Sequence, residues 1–346
     1  MNSNVEKVIV FKNDAVGDLV QSLNAINNII DFHKNKNIEI YLSERSEKFK
    51  FLINNRNIIY KKINYNLSFI EKINLLFYLI RNKVTKIYIL TPKNFYFFLP
   101  ILFRNIKFYG LCINGPNSYK RPSSFLRKYL FKYVINDRGA IYKRDHTSKL
   151  QENLTKEIDN KSGNNINFKL SVSDFLKKNL PNNFVYFHLK KNITDRLDWS
   201  IDDLLKLFNF FLKHYDYVVF SRDIENKNKK DILKEKFKIV DFENKKIINN
   251  SLNSKILLFD NIKGEDLYNT ITSSSKVIAF HGMMTNLASI RKKKTIDMWF
   301  CDINNYNDYR NYRNAFYEFK PKYNGYDFII PSKKITKTIK KLSNFI

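Results

Sequence analysis

Short apolar runs alternate with segments whose apolar residues recur every three or four positions, and the alternation repeats along the chain. The first run, Val-Ile-Val-Phe at 8–11, has the length and β-branching of a buried parallel strand. A polar turn follows, and then Leu19, Leu23, Ile26 and Ile30 mark one face of a helix. The same reading predicts strands at 38–42 and 86–90 and helical segments at 46–53, 67–80, 95–103 and 124–133. Gly110, Gly115, Pro116 and Pro122 mark a loop region between the last two helices. An amphipathic helix is expected over 146–154, before a polar, turn-rich stretch at 159–165 with no apolar period.

The alternation restarts after Pro181. Strands are predicted at 184–188, 217–221, 256–259 and 276–280, with 295–299 closing the sheet. Helices are predicted at 200–214 with Ser200 as N-cap, near 226–237, at 264–273 and in a basic tail with Ile335, Ile339 and Leu342 on one face. Strand–helix alternation in both halves predicts an α/β protein of two doubly wound, Rossmann-like domains facing a cleft, over 1–165 and 180–330. Their crossovers should be right-handed.

The length, 346 residues, exceeds one comfortable core and agrees with two domains. Cys112 and Cys301 lack Cys-x-x-Cys spacing, which argues against a disulfide scaffold or a zinc site and for a reducing cytoplasm. No secretory signal is expected, because the first apolar run is short and meets Lys12, Asn13 and Asp14. The longest apolar run, 95–103, falls well short of the ~20 residues of a spanning helix. Part of the net charge of +28 reflects general enrichment in Lys, so its distribution says more than its size. Residues 72–136 hold no Asp or Glu, but twelve Lys and Arg and fifteen aromatics.

Chemistry concentrates at predicted strand ends. After the first strand comes Asn13-Asp-Ala-Val-Gly-Asp-Leu-Val-Gln-Ser-Leu23, in which Gly17 permits a tight turn and Asp18 lies near a helix start. On position alone Asp18 reads as a helix cap. The run resembles the N-terminal signature of glycosyltransferase family 9, the lipopolysaccharide heptosyltransferase-like enzymes. Three later segments resemble that family in the same order. His188-Leu-Lys-Lys-Asn-Ile-Thr-Asp-Arg-Leu-Asp-Trp199 is similar to its phosphate-binding loop, with Arg196 displaced by one position. Val218-Val-Phe-Ser-Arg-Asp-Ile-Glu225 matches a strand and turn ending in a ribose-binding Glu. Finally, 273–290 resembles the motif Asp-Ser/Thr-Gly-Pro-x-His-Leu-Ala. There Phe280-His281 replaces the acidic and hydroxyl residues, one residue is added after Gly282, and Asn286 stands for the motif histidine.

The resemblance implies a GT-B fold whose C-terminal helix, 331–346, packs back on an acceptor-binding first domain. It also implies an inverting, metal-independent transfer of a heptose-like sugar from a nucleotide diphosphate to a membrane-held glycolipid or polysaccharide. Asp18 would be the base, with Asp14 and Gly17 at the acceptor side. Lys190, Lys191, Arg196, Glu225, His281, Gly282, Met283 and Asn286 would hold the donor, cations and helix dipole replacing a divalent ion. No Asp-x-Asp occurs and no cofactor is expected. An inactive family member, or a nucleic-acid-binding protein suggested by charge and aromatics, are the alternatives, the second disfavoured for want of a recognition motif. The acid-free block, with Lys120, Arg121, Arg127 and Lys128 among its cations, suits peripheral contact with an anionic membrane on its cytoplasmic face. Packed aromatics and snorkelling lysines would give the same composition.

Overall fold

A fully buried stretch, Val8 to Phe11, forms the middle of β1 (Lys7–Lys12) and is flanked on both sides by parallel neighbours. The computed structural model describes residues 6–53, 58–115, 121–137, 146–155, 171–223, 233, 236–249, 253–301 and 316–346. The chain divides into two units, one over 1–168 and 314–320, the other over 169–313 and 321–346.

In the first unit β1 is joined by β2 (Asn37–Ser43), β3 (Ile58–Ile63), β4 (Val84–Ile89), β5 (Lys107–Asn114) and β6 (Lys132–Asp137). The sheet is wholly parallel, in the order β3-β2-β1-β4-β5-β6. This is the doubly wound order, in which the chain reverses direction between β1 and β4. Helices Phe69–Arg81, Asn94–Leu102 and Ser124–Arg127 bury Leu75, Leu79, Tyr96, Phe97, Leu99 and Leu126 in one core with β1, β4 and β5. Helix Leu23–Phe32 packs beside helix Thr147–Thr155, and the predicted apolar face is the buried one.

Three expectations fail here. β3 was not foreseen, and neither was β5, which runs straight through the supposed glycine loop. Gly110 pairs with Ile89 and Tyr133 within the sheet. A Cβ there would lie 3.0 Å from Phe97 Cε1 and 3.2 Å from Leu130 Cδ1, so the glycine admits the overlying helix rather than a turn. The helix expected over 124–133 stops at Arg127, because the chain enters edge strand β6, where Tyr133 and Ile135 alternate outward.

The second unit contains β7 (Phe184–Leu189), β8 (Tyr217–Arg222), β9 (Lys238–Asp241), β10 (Lys246–Asn249), β11 (Ile256–Asp260), β12 (Lys276–Phe280), β13 (Thr295–Met298) and β14 (Tyr326–Ile329). The order is β10-β9-β11-β8-β7-β12-β13-β14, and only β10 runs antiparallel to its neighbour. From β11 to β14 it repeats the first sheet, with the reversal between β7 and β12. The expected closing strand, β13, is covered by β14, whose polar Tyr and Asp disguise it. Helix Ile201–Phe211 begins with a capping box between Ser200 and Asp203 and buries Leu204, Leu207, Phe208 and Phe211. The C-terminal helix, Ile335–Leu342, belongs to the second unit. Ile335 and Leu342 enter the core of the second unit beside helix Ile201–Phe211. The charged helix near 226–237 lies almost entirely outside the described residues.

Gly110→Ala should cost about 1–3 kcal/mol of stability through overpacking against Phe97 and Leu130. Urea unfolding followed by circular dichroism checks this, and an unchanged midpoint would mean the helix has room to move.

Candidate functional site

In each unit the reversal of strand order opens a position at the carboxyl ends of two strands, the usual ligand site of such sheets. In the first unit it is reached by Asn13, Asp14 and helix Val16–Gln21 after β1, and by Thr91 and Lys93 after β4. Lys12 is almost fully buried and pairs with Asp14, Nζ to Oδ2 at 2.8 Å. The other oxygen, Asp14 Oδ1, is buried and has no hydrogen-bond partner among the described residues. Asn13 is locked in place, donating from Nδ2 to Asn64 O at 3.0 Å and accepting at Oδ1 from the Tyr96 hydroxyl at 2.9 Å. Lys93 donates to Asn13 O at 3.3 Å, and burial lowers its pKa despite the opposing charge of Asp14.

Asp18 is half-buried in the first turn of helix Val16–Gln21. It is not the cap: Ala15 occupies that position, without a side-chain hydrogen bond. Gly17 lies inside the same helix and is not among the glycines with positive φ, so no tight turn depends on it. Lys12 and Lys93 were not singled out from the sequence. A lysine continuing a buried apolar strand was the available signal for the first of them.

In the second unit β12 ends at His281 and Gly282, and helix Met283–Ile290 begins at once. Gly282 has φ +149° and serves as N-cap, a conformation that side chains resist. Lys190, directly after β7, donates from Nζ to His281 O at 3.2 Å and would lie 3.5 Å from a Cβ on Gly282. The expected phosphate loop is instead mostly a helix, Lys191–Leu197, entered at Lys190, and the side chain of Lys191 lies outside the described residues. Arg196 places its guanidinium 4.3 Å from the Phe300 ring centroid. Asn286 is buried and donates back to Gly282 O at 2.8 Å, so it shapes the helix start. Met283 is half-exposed on the first turn, and Glu225 lies outside the described residues.

His281 carries a network that sequence reasoning missed. Its Nδ1 lies 2.7 Å from Asp297 Oδ2, and its ring stacks on Trp299 with centroids 3.5 Å apart. The Tyr326 hydroxyl donates to the same Asp297 oxygen at 2.8 Å and accepts from Trp299 Nε1 at 3.0 Å. Asp297 is completely buried, and its Oδ1 has no partner among the described residues. Burial, then the Asp297 charge, holds the Tyr326 phenol far above its ordinary pKa. An acid in the middle of β13 was the visible signal for this network. One strand away, His188 Nδ1 meets Ser221 Oγ at 2.9 Å, and Nε2 meets Asp223 at 3.3 Å.

Lys190, His281 and Gly282 are therefore brought together at a helix start, a place suited to an anion. Among the described residues no group of His, Cys, Asp and Glu could hold a metal ion. No protein-family profile matches the sequence, and no curated protein matches it. Solved structures do match in fold. A glycosyltransferase of family 9 from Veillonella parvula superposes with a TM-score of 0.63 at 10% identity, covering 100% of this chain and 91% of that one. ADP-heptose LPS heptosyltransferase II from E. coli gives 0.62 at 11% identity, covering 98% of each chain. The UDP-GlcNAc 2-epimerase from Methanocaldococcus jannaschii gives 0.53 at 13% identity, covering 98% and 91%. The chain thus has the GT-B fold and resembles family 9 over its whole length. The fold by itself does not choose between a transferase and an epimerase.

Asp14→Asn leaves the Lys12 ammonium buried without its counter-ion. It should destabilise the protein by about 3–5 kcal/mol, and adding Lys12→Met should recover much of that loss. Urea titration of the three variants checks this; independent, additive effects would deny the coupling.

Proposed function

We propose that the protein is an inverting, metal-independent glycosyltransferase. It moves a heptose-like sugar from a nucleotide diphosphate to a membrane-held glycolipid or polysaccharide. The observation that carries the reading is the meeting of Lys190, His281 and Gly282 at a helix start at the strand reversal of the second sheet. Lys190 and the helix dipole stabilise the diphosphate as it leaves, the work a divalent ion does elsewhere. Asp18 takes the proton of the attacking hydroxyl. The likeness in fold to an ADP-heptose LPS heptosyltransferase supports the donor class. Action in the cytoplasm, at the inner membrane, follows from the acceptor.

Asp18→Asn should lower turnover by about 10²–10⁴ while leaving donor affinity nearly intact. Lys190→Ala should do the reverse, weakening nucleotide-diphosphate binding. Calorimetry and a transfer assay over a panel of nucleotide sugars separate the two. A fully active Asp18→Asn would leave that carboxylate a helix residue only.

The acceptor's membrane also has a matching surface. Helices Phe69–Arg81 and Asn94–Leu102 expose Phe69, Ile70, Phe77, Ile80, Phe98 and Leu102 on their outward sides. Cations lie over several exposed or half-exposed rings of this layer, Arg81 on Phe77 at 5.8 Å and Lys128 on Phe125 at 4.6 Å. The surface differs in detail from the one the sequence suggested. Among the fifteen aromatics of the acid-free block, Phe108 and Tyr109 are core; of its cations, Arg127 is half-buried with Nη2 donating to Pro122 O, and Lys120 lies outside the described residues. Arg121 and Lys128 are exposed. Among the described residues no helix is long and apolar enough to cross a membrane. We expect sedimentation with anionic liposomes that salt reverses. Phe77→Asp with Ile80→Asp should abolish it without loss of helical signal; undiminished sedimentation would remove this face from the contact.

A further inference from the structure

We propose that Tyr326 and Asp297 are positioning residues of the donor site, acting through His281 on the carbonyl that holds Lys190. The inference rests on the reading of Lys190 and Gly282 as the place of the donor's diphosphate. The register of β12 with β13 ends at Phe280 and Met298, so His281 is the first residue beyond the ladder. Its N–H donates to Met298 O at 3.1 Å, and its carbonyl accepts from Lys190 Nζ at 3.2 Å. Next comes Gly282 at φ +149°, where the absence of a side chain leaves the backbone free to turn. The main chain alone therefore sets the direction of the His281 carbonyl loosely, and with it the place of the Lys190 ammonium.

The side chain supplies the missing constraint. His281 Nδ1 lies 2.7 Å from Asp297 Oδ2, and the ring stacks on Trp299 with 3.5 Å between centroids and 20° between planes. The Tyr326 hydroxyl closes the circuit, donating to Asp297 Oδ2 at 2.8 Å and accepting from Trp299 Nε1 at 3.0 Å. The anchor points belong to the sheet itself. Asp297 lies in β13, Trp299 follows it with its N–H on Ile329 O at 2.9 Å, and Tyr326 lies in β14. Stability does not call for this arrangement. Asp297 is completely buried with no hydrogen-bond partner for Oδ1 among the described residues, and apolar side chains of similar volume would hold the two strands as well. What hydrogen bonds add to packing is direction: they select one orientation of the His281 ring, and the carbonyl of the same residue follows.

The test is a double-mutant cycle on the whole chain. Tyr326→Phe removes the hydroxyl and keeps the ring, and Lys190→Ala removes the ammonium that the network positions. Calorimetry with ADP, UDP, GDP and CDP selects the nucleotide that binds tightest, which is then titrated into the unmodified chain, both single variants and the double variant. Tyr326→Phe should weaken binding about three- to tenfold alone and less than about twofold in the Lys190→Ala background, because its effect passes through Lys190. Urea midpoints should instead shift equally in both backgrounds, which separates positioning from a loss of stability. Trp299→Phe keeps an aromatic ring beside His281 and loses only the indole donor; it should repeat the pattern more weakly and serves in place of Tyr326→Phe should that variant not fold. Unchanged affinity in the hydroxyl variant, or an equal loss with and without Lys190, overturns the inference and leaves the transferase reading standing. Failure of every nucleotide to bind the unmodified chain overturns both.

Discussion

When the chain leaves two adjacent parallel strands toward opposite faces of a sheet, no connecting loop covers the gap between their ends, and the last residues of both strands face it. Both sheets here contain one such reversal, between β1 and β4 and between β7 and β12. Lys12 to Asp18 lie at this point in the first unit, and Lys190 with His281 and Gly282 in the second. Neighbouring strands set their positions through backbone ladders buried on both faces, which makes the supports stiff.

Charge is buried at both points, and each time incompletely paired. Asp14 and Asp297 each leave one carboxylate oxygen without a partner among the described residues. A buried ion pair with an unmet acceptor does little for stability in its own right, and its retention suits a role in which the spare capacity is used. The two sites differ in partner. Lys12 is the partner of Asp14 in the first unit, and His281 is the partner of Asp297 in the second.

The outward face of the helices over β4 and β5 follows a different rule. Their inward sides bury Leu75, Leu79, Phe97 and Leu99, so the remaining apolar residues on the same helices have no core left to enter. Exposed Phe and Ile therefore stand beside Arg and Lys on these helices, and residues 72–136 carry no acid.

Much of this was legible from the sequence, and the reason is local. Strands buried on both faces read as unbroken apolar runs, as at Val8 to Phe11 and in β12, and helix Gly264–Ser273 begins and ends where its periodicity says. The Gly282 helix start was visible too, because glycine between a strand and a helix leaves a local mark. What escaped needed partners distant in the chain. Edge strands β3, β6 and β14 bury too little to show an apolar run, and Gly110 looked like a turn until Phe97 lay over it. Asp297 and Tyr326 read as ordinary polar residues, since only the pairing of β12 with β13 and β13 with β14 sets them beside His281. The sequence determined which segments become strands and helices, because that depends on neighbours a few residues apart. Which charges meet was left to the tertiary structure, because strand order alone brings them within reach of a hydrogen bond.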